Sequence, residues 1–223
     1  MHRGTGDLSG GGRAPFPLET NERFLIREHV MNFEKLLERS VKIHGHLCPG
    51  QVLGVKMAIW GMQLIGLDAP EAGRMKNMIV YVEMDRCATD AIQSVTGCSL
   101  GHRTMKFLDY GKMAATFVNL ENGKAVRLIA REETRERARE LFPDVEDRYE
   151  AQIQTYLIMP SEELFDVTPV RVTIPPQDMP GRPMRRVQCN RCGEYVQDIR
   201  EVNRDGEILC KACASGTYYE KNV

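Results

Sequence analysis

Between residues 32 and 40 the stretch NFEKLLERS sets Phe33, Leu36 and Leu37 three and four positions apart with charged residues between them. That repeat is one apolar helix face, so a short amphipathic helix is expected there. Pro49 suits the first turn of a new helix. The following run, QVLGVKMAIWGMQLIGL over 51–67, carries Val52, Val55, Met57, Ile59 and Leu64 and is apolar on nearly all sides. A helix without a polar face has to be buried, which places this one at the centre of a core.

MIVYVEMD, 78–85, is rich in β-branched and aromatic residues and reads as a core strand. CATDAIQSVTGC, 87–98, reads as a helix that opens at Cys87 and ends at Gly97. Strand-like runs follow at 104–108, 113–120 and 124–130, with Asn122-Gly123 as a hairpin turn, and they are expected to form the antiparallel part of a sheet. REETRERARELF, 131–142, has Glu and Arg at three- and four-residue spacing and is a solvated helix with no assigned chemistry. A helix near 146–157 and a strand near 168–174 complete the body. PPQDMPGRPMRR, 175–186, holds four prolines and reads as a linker.

The pattern implies an α+β fold, a mixed or antiparallel sheet packed with helices, followed by a small zinc-ribbon domain. The expected boundaries are a disordered N-terminus over 1–22, an α+β domain over 23–174, a linker over 175–186 and the ribbon over 187–223. A chain of 223 residues has room for one such core and a small appendage.

Composition narrows the function. A charged fraction of 27% with a net charge of −1 leaves no basic field to draw the chain onto nucleic acid. The longest apolar run is interrupted by Lys56 and Gln63 and falls short of the roughly 20 residues that span a bilayer, so no membrane segment is expected. The Gly- and Pro-rich N-terminus lacks the pattern of a secretory signal, and a cytoplasmic location is the expectation. Seven cysteines in a reducing compartment point to metal binding or thiol chemistry instead of disulfides.

Four of them are in the tail. CNRC and CKAC place Cys189, Cys192, Cys210 and Cys213 as two Cys-x-x-Cys pairs separated by seventeen residues, the spacing that surrounds one tetrahedral zinc. Gly193 follows the first pair as in a zinc knuckle. The intervening EYVQDIREVNRDGEIL reads as a two-stranded ribbon turning at Asp205-Gly206, so that two knuckles meet at one end. So small a module draws its folding free energy from the metal. From Val187 onward five Lys or Arg face six Asp or Glu, a balance that favours protein contact or dimer support over nucleic acid.

In the body, His44, His46 and Cys48 occupy alternate positions, and an extended connection would turn all three to one side. A cysteine just before a helix N-terminus is favoured as thiolate, the form that binds metal or attacks an electrophile. Standing alone, the stretch reads better as a capped turn with a buried histidine and an inert thiol. Cys87, then Asp90 and Gln93 on much the same helix face, and Cys98 at the far end, would complete a site of imidazole, thiolate and carboxylate suited to zinc or iron. A metal held by His46, Cys48 and Cys87 would leave a position open, with Asp90 or His44 to move protons and Lys112 to stabilise negative charge.

HGHLCPGQVLG, EMDRCATDAIQSVTGCSLGH and DYGKMAATF resemble the FmdE family of formylmethanofuran dehydrogenase components, in the form carrying a C-terminal zinc ribbon, over about residues 30–213. The resemblance implies an α+β domain, a homodimer, and association with molybdenum or tungsten oxidoreductases that reduce carbon dioxide onto methanofuran. It also implies that His44, His46, Cys48, Cys87, Asp90, Gln93 and Cys98 line the family's metal-binding or active site, with Asp109 and Lys112 nearby. One departure stands out: a Gly-Cys-Thr and a Gly-Lys-Gly-like turn are replaced by Gly97-Cys98-Ser99-Leu100-Gly101-His102-Arg103, which removes a lysine and offers His102 as a further ligand. The chain has no ferredoxin-like cysteine spacing and no pterin-binding segment, so formyl transfer and electron delivery would fall to other subunits. A stand-alone metal enzyme and a zinc-ribbon regulator are the competing classes.

Overall fold

The computed structural model describes residues 22–68 and 76–222. The expected N-terminal lead-in lies, but for its last residue, outside the described residues. The first helix, α1 (Glu22–His44), is longer than the amphipathic stretch that predicts it and ends where Gly45 takes φ +100. The chain then enters α2 (Pro49–Leu64), with Cys48 as its extended N-cap and Pro49 in the first turn. Val52, Val55, Met57, Ala58 and Met62 of α2 are fully buried, as its apolar circumference requires.

A strand, β1 (Met78–Val82), leads to α3 (Cys87–Thr96), closed by Gly97 in the left-handed conformation, and then to β2 (Met105–Phe107). The hairpin β3 (Ala114–Asn119) and β4 (Ala125–Ala130) is followed by α4 (Glu133–Leu141), α5 (Arg148–Ile158), the one-turn α6 (Ser161–Leu164) and β5 (Phe165–Pro169). The strands form one sheet in the order β2-β1-β3-β4-β5.

Two expectations need correction. The pattern places the run at 104–108 in the antiparallel part of the sheet, but β2 runs parallel to β1, Val80 opposite Met105. The reason is α3, which carries the chain back across one face so that β2 starts from the same end as β1. The last strand of the body lies at Phe165–Pro169 and not at 168–174, set by pairing of Phe165 with Ala130 and of Pro169 with Val126.

The core lies between the sheet and the helices. Met78, Val80 and Val82 of β1, Phe117 of β3 and Leu128 of β4 face α2 and α3. α2 and α3 approach closely through Gly54: a Cβ there would stand 2.6 Å from the Ala88 carbonyl oxygen and 2.6 Å from Ala91 Cβ. Lys56, the charge inside the buried α2, donates to the Met159 carbonyl at 2.6 Å and that of Leu157 at 3.1 Å at the end of α5. Burial lowers its pKa to about 8 against the opposing pull of Glu162.

The C-terminal module consists of β6 (Arg186–Gln188) paired with β7 (Tyr195–Gln197), a hairpin of β8 (Val202–Arg204) and β9 (Glu207–Leu209), and α7 (Lys211–Ser215). The hairpin turns at Asp205-Gly206 as expected, but the other arm differs. β7 pairs with β6 across the first cysteine pair, and the second pair opens a short helix instead of a second knuckle. Between body and module, a turn of 3-10 helix at Pro176–Asp178 is tied to both. Asp178 pairs with Arg200 of the module and lies 3.9 Å from Lys106 of β2, while Arg103 bonds the Gln177 carbonyl and lies 3.4 Å from Asp198. Among the described residues no helix is long and apolar enough to cross a membrane.

Candidate metal centres

The body site forms where the end of α1, the start of α2 and the start of α3 meet. His44 is the last residue of α1, and Gly45 reverses the chain so that His46 and Cys48 return beside it. One donor atom from each of His44, His46 and Cys48 lies within 4.8 Å of the other two. The imidazole rings are 4.7 Å apart and tilted by 36°, and Cys48 Sγ is 4.0 Å from His44 Nε2.

α3 contributes Asp90, whose Oδ2 is 2.8 Å from His44 Nδ1. A carboxylate only accepts hydrogen bonds, so Nδ1 is the donor to Asp90, and Nε2 is the ring nitrogen on the side of Cys48. This is the arrangement in which a carboxylate orients a metal-binding histidine, and equally the one in which it orients a base beside a thiol nucleophile.

Cys87, the first residue of α3, borders the cluster through Gly50. A Cβ on that glycine would meet Cys87 Cβ at 2.9 Å and Cys48 Sγ at 3.8 Å, so the bare backbone is what lets the two cysteines approach. Burial, and then the neighbouring Cys48 thiol, push the Cys87 thiol up.

A cleft of about 550 Å³ opens from this cluster. His44, Cys87, Asp90, Gln93 and Thr89 line one side, and Val82, Met84, Met105 and Phe107 form an apolar wall. Its size suits a small organic ligand.

Not every expected residue reaches the site. Cys98 is fully buried, its backbone N–H bonded to Thr96 Oγ1, and burial pushes its thiol up; it is a core thiol. α3 ends at Thr96, some 15 Å of helix beyond Cys87, and Gly97 turns the chain under. His102 sits on the exposed turn after α3 with Nδ1 2.8 Å from Ser99 Oγ, outside the cluster. Asp109 and Lys112 lie in the exposed loop between β2 and β3. Lys112 N–H donates to the Glu83 carbonyl at 3.0 Å, and its charge acts on the Glu83 carboxylate. Glu83 alternates with Val82 and Met84 and so points away from the cleft, which Lys112 does not enter.

Two residues that sequence reasoning does not single out, Gln51 and Ser40, matter here. Gln51, fully buried, donates to the Cys87 carbonyl at 2.6 Å and accepts from Ser40 Oγ of α1. The signal for it is a polar residue in the first turn of an otherwise apolar, buried helix.

In the C-terminal module, Cys189, Cys192, Cys210 and Cys213 place their sulfurs within 4.8 Å of one another, Cys192 and Cys210 at 3.9 Å. Gly193, at φ +76, closes the first knuckle, and its N–H bonds the Cys189 carbonyl. Asn190 joins knuckle to hairpin: its N–H bonds the Ile208 carbonyl at 2.8 Å and its Oδ1 accepts from Ile208 N–H at 2.7 Å. The N–H groups of Cys192 and Cys210 hold the Cys189 thiol at a pKa of about 6. The Cys210 thiol, burial and the other two thiols push Cys213 up to about 12. Four sulfurs converge, and thiolates gathered this closely repel one another. A divalent cation relieves that repulsion, and the donor set fits one.

The fold is shared with a crystal structure of a tungsten formylmethanofuran dehydrogenase FmdE-like protein from Syntrophus aciditrophicus. The TM-score is 0.56 at 23% sequence identity, over 84% of this chain and 95% of that one. A protein of Archaeoglobus fulgidus named as a probable S-adenosyl-L-methionine-binding protein is 33% identical over 206 residues, which are 83% of this chain and 54% of that protein. The chain thus spans about half the length of that relative. The family model FmdE, described as molybdenum formylmethanofuran dehydrogenase operon, matches residues 43–166, from just before the HGHLC turn to β5. With the family's model matching over more than half of its length, the chain belongs to the FmdE family.

Proposed function

We propose that this chain is a metal-binding accessory or subunit of a molybdenum- or tungsten-dependent oxidoreductase of the formylmethanofuran dehydrogenase type. It carries a structural zinc in the C-terminal module and a second ion, zinc or iron, in the body. The observation that supports this best is the convergence of His44, His46 and Cys48, with Asp90 orienting His44 and both of these residues lining a cleft. The description of the family model points to the same operon context. A bound ion would supply Lewis acidity and a water acidified toward neutral pH. His46 and Cys48, with His44 or Cys87, would hold it, while Met84, Met105 and Phe107 give the rest of the cleft an apolar wall. The protein acts as a cytoplasmic homodimer, and the four-cysteine module serves protein contact instead of nucleic-acid binding.

The test is metal analysis of protein purified without added metal, beside Cys48→Ala and Cys192→Ala variants. Two ions per chain are expected, with each variant losing a different one; a single ion per chain, lost only from Cys192→Ala, overturns the body site. Co-purification of molybdenum or tungsten oxidoreductase components with the tagged chain tests the association.

A second reading makes the body an enzyme in its own right, with His44 accepting the proton of Cys48 or of a bound water. The relay Asp90–His44–Cys48 favours it, as does a cleft sized for a substrate. The name of the Archaeoglobus relative supplies the first ligand to try, and calorimetric titration with S-adenosyl-L-methionine decides it: saturable binding lost in Phe107→Ala supports this reading, and no heat dismisses that ligand.

A further inference from the structure

We infer that Gln51 is the positioning residue of the body site, fixing the distance between the Cys48 and Cys87 thiols. The cysteines and histidines around the body site come from three helices: His44 from α1, Cys48 from the N-cap of α2 and, bordering the cluster, Cys87 from the start of α3. The Gln51 side chain, on α2, bonds to both of the other helices. Its Oε1 accepts from Ser40 on α1, one turn before His44, and its Nε2 donates to the Cys87 carbonyl at 2.6 Å. Its own N–H bonds the Cys48 carbonyl at 3.0 Å, so the amide is fixed relative to the cysteine it follows by three positions.

The bridge is buried at both ends, Gln51 fully and Ser40 to 1% exposure, so water does not compete for it. The two groups that Gln51 bonds could be satisfied without it. A serine inside a helix can turn its hydroxyl to the carbonyl four residues back, and a carbonyl at the start of a helix accepts from the N–H four residues on. What the bridge adds is geometry. It ties the start of α3 to the start of α2 at the level of Gly50, where the absence of a side chain leaves room for Cys87 and the Cys48 sulfur to approach. Outer groups of this kind set ligand spacing without touching the metal.

The inference rests on the body cluster being a metal site, and the experiment separates the two claims. Body-metal affinity is measured in the full chain by chelator competition, with cobalt(II) as spectroscopic probe, for wild type, Gln51→Leu and Ser40→Ala. Gln51→Leu should weaken the body site by about tenfold or more and lose its thiolate-to-cobalt charge-transfer band, while the spectrum of the four-cysteine module is unchanged. Body affinity within about twofold of wild type in a folded variant overturns the inference. If Gln51→Leu fails to fold, Ser40→Ala, which frees the amide to rotate, must still weaken the body site, and wild-type affinity there overturns it. A metal-independent readout completes the set: phenylarsine oxide, which bridges paired thiols, is applied to protein stripped of body metal and the adduct mapped by mass spectrometry. Bridging of Cys48 to Cys87 should be at least severalfold slower in Gln51→Leu than in wild type. Equal rates overturn the positioning role, whereas a wild type that bridges normally but takes up no cobalt in the body overturns the metal reading alone.

Discussion

Replacing Gly54 by alanine sets two well-measured effects against each other. Gly54 lies inside α2, where alanine is favoured over glycine by about 1 kcal/mol on helix propensity alone. Against that, the new Cβ would stand 2.6 Å from the Ala88 oxygen, 2.6 Å from Ala91 Cβ and 2.8 Å from Ala88 Cα. These are backbone atoms and a methyl of α3, with no flexible side chain to swing aside, so α3 itself must move. Overpacking of this kind costs about 1–3 kcal/mol, and contact with backbone puts this case at the upper end. The net expectation is destabilisation by about 1–2 kcal/mol, seen as a lower urea midpoint with unchanged slope and a melting temperature lower by roughly 2–8 °C. Gly101 is the control: a Cβ there meets nothing within 4 Å and the residue does not need positive φ, so Gly101→Ala should be neutral or stabilise by up to about 1 kcal/mol. A Gly54→Ala variant as stable as wild type would refute the close helix approach. Because the same displacement separates Cys48 from Cys87, body-metal affinity should fall with it.

Glu83 is almost fully buried and accepts two bonds of 2.7 Å from Arg127, which holds its carboxyl below the usual range. A depressed carboxylate stabilises the fold above its unfolded pKa and loses that contribution as pH falls through the folded value; Glu83→Gln should therefore cost about 2–3 kcal/mol at neutral pH, and its stability curve should converge on wild type in acid. Asp90→Asn removes the carboxylate that orients His44 and should lower body-metal affinity about tenfold without changing metal content in the C-terminal module, measured by chelator competition. Exhaustive chelation should abolish protection of residues 186–215 from hydrogen exchange while β1 and β3 stay protected, because the module's own core is little more than Cys189, Leu209 and Ala214. Asp178→Asn, which weakens the ties to Arg200 and Lys106, should raise the rate of proteolysis between body and module with no change in metal content.

Much of the fold is legible in the chain. α2 announces itself by an apolar circumference, β1 by β-branched residues and the β3–β4 turn by Asn122-Gly123, because each of these is a contact between near neighbours. The direction of β2 is not legible: three residues, Met105–Phe107, carry no record of which way the strand runs, and only the return path of α3 decides it. The site divides in the same way. Asp90 and Cys98 both look like members, and helical spacing places Asp90 correctly beside the cluster, but a ten-residue helix puts its two ends too far apart for Cys98 to follow.

The sequence by itself determined the candidate ligand residues and their local order: His-x-His-x-Cys before a helix, two Cys-x-x-Cys pairs and the FmdE-like motifs. Short-range spacing governs these, since alternate positions in an extended turn and three-residue steps at a knuckle need no distant partner. Tertiary structure alone decided that Asp90 meets His44 across 46 positions, that Cys98 belongs to the core and Lys112 to an exposed loop outside the cleft, and that Gln51 on α2 bonds to both α1 and α3. Each of those outcomes depends on how α2 packs against α3, a distance set by a missing side chain at Gly50 and Gly54 and by burial that no local pattern encodes.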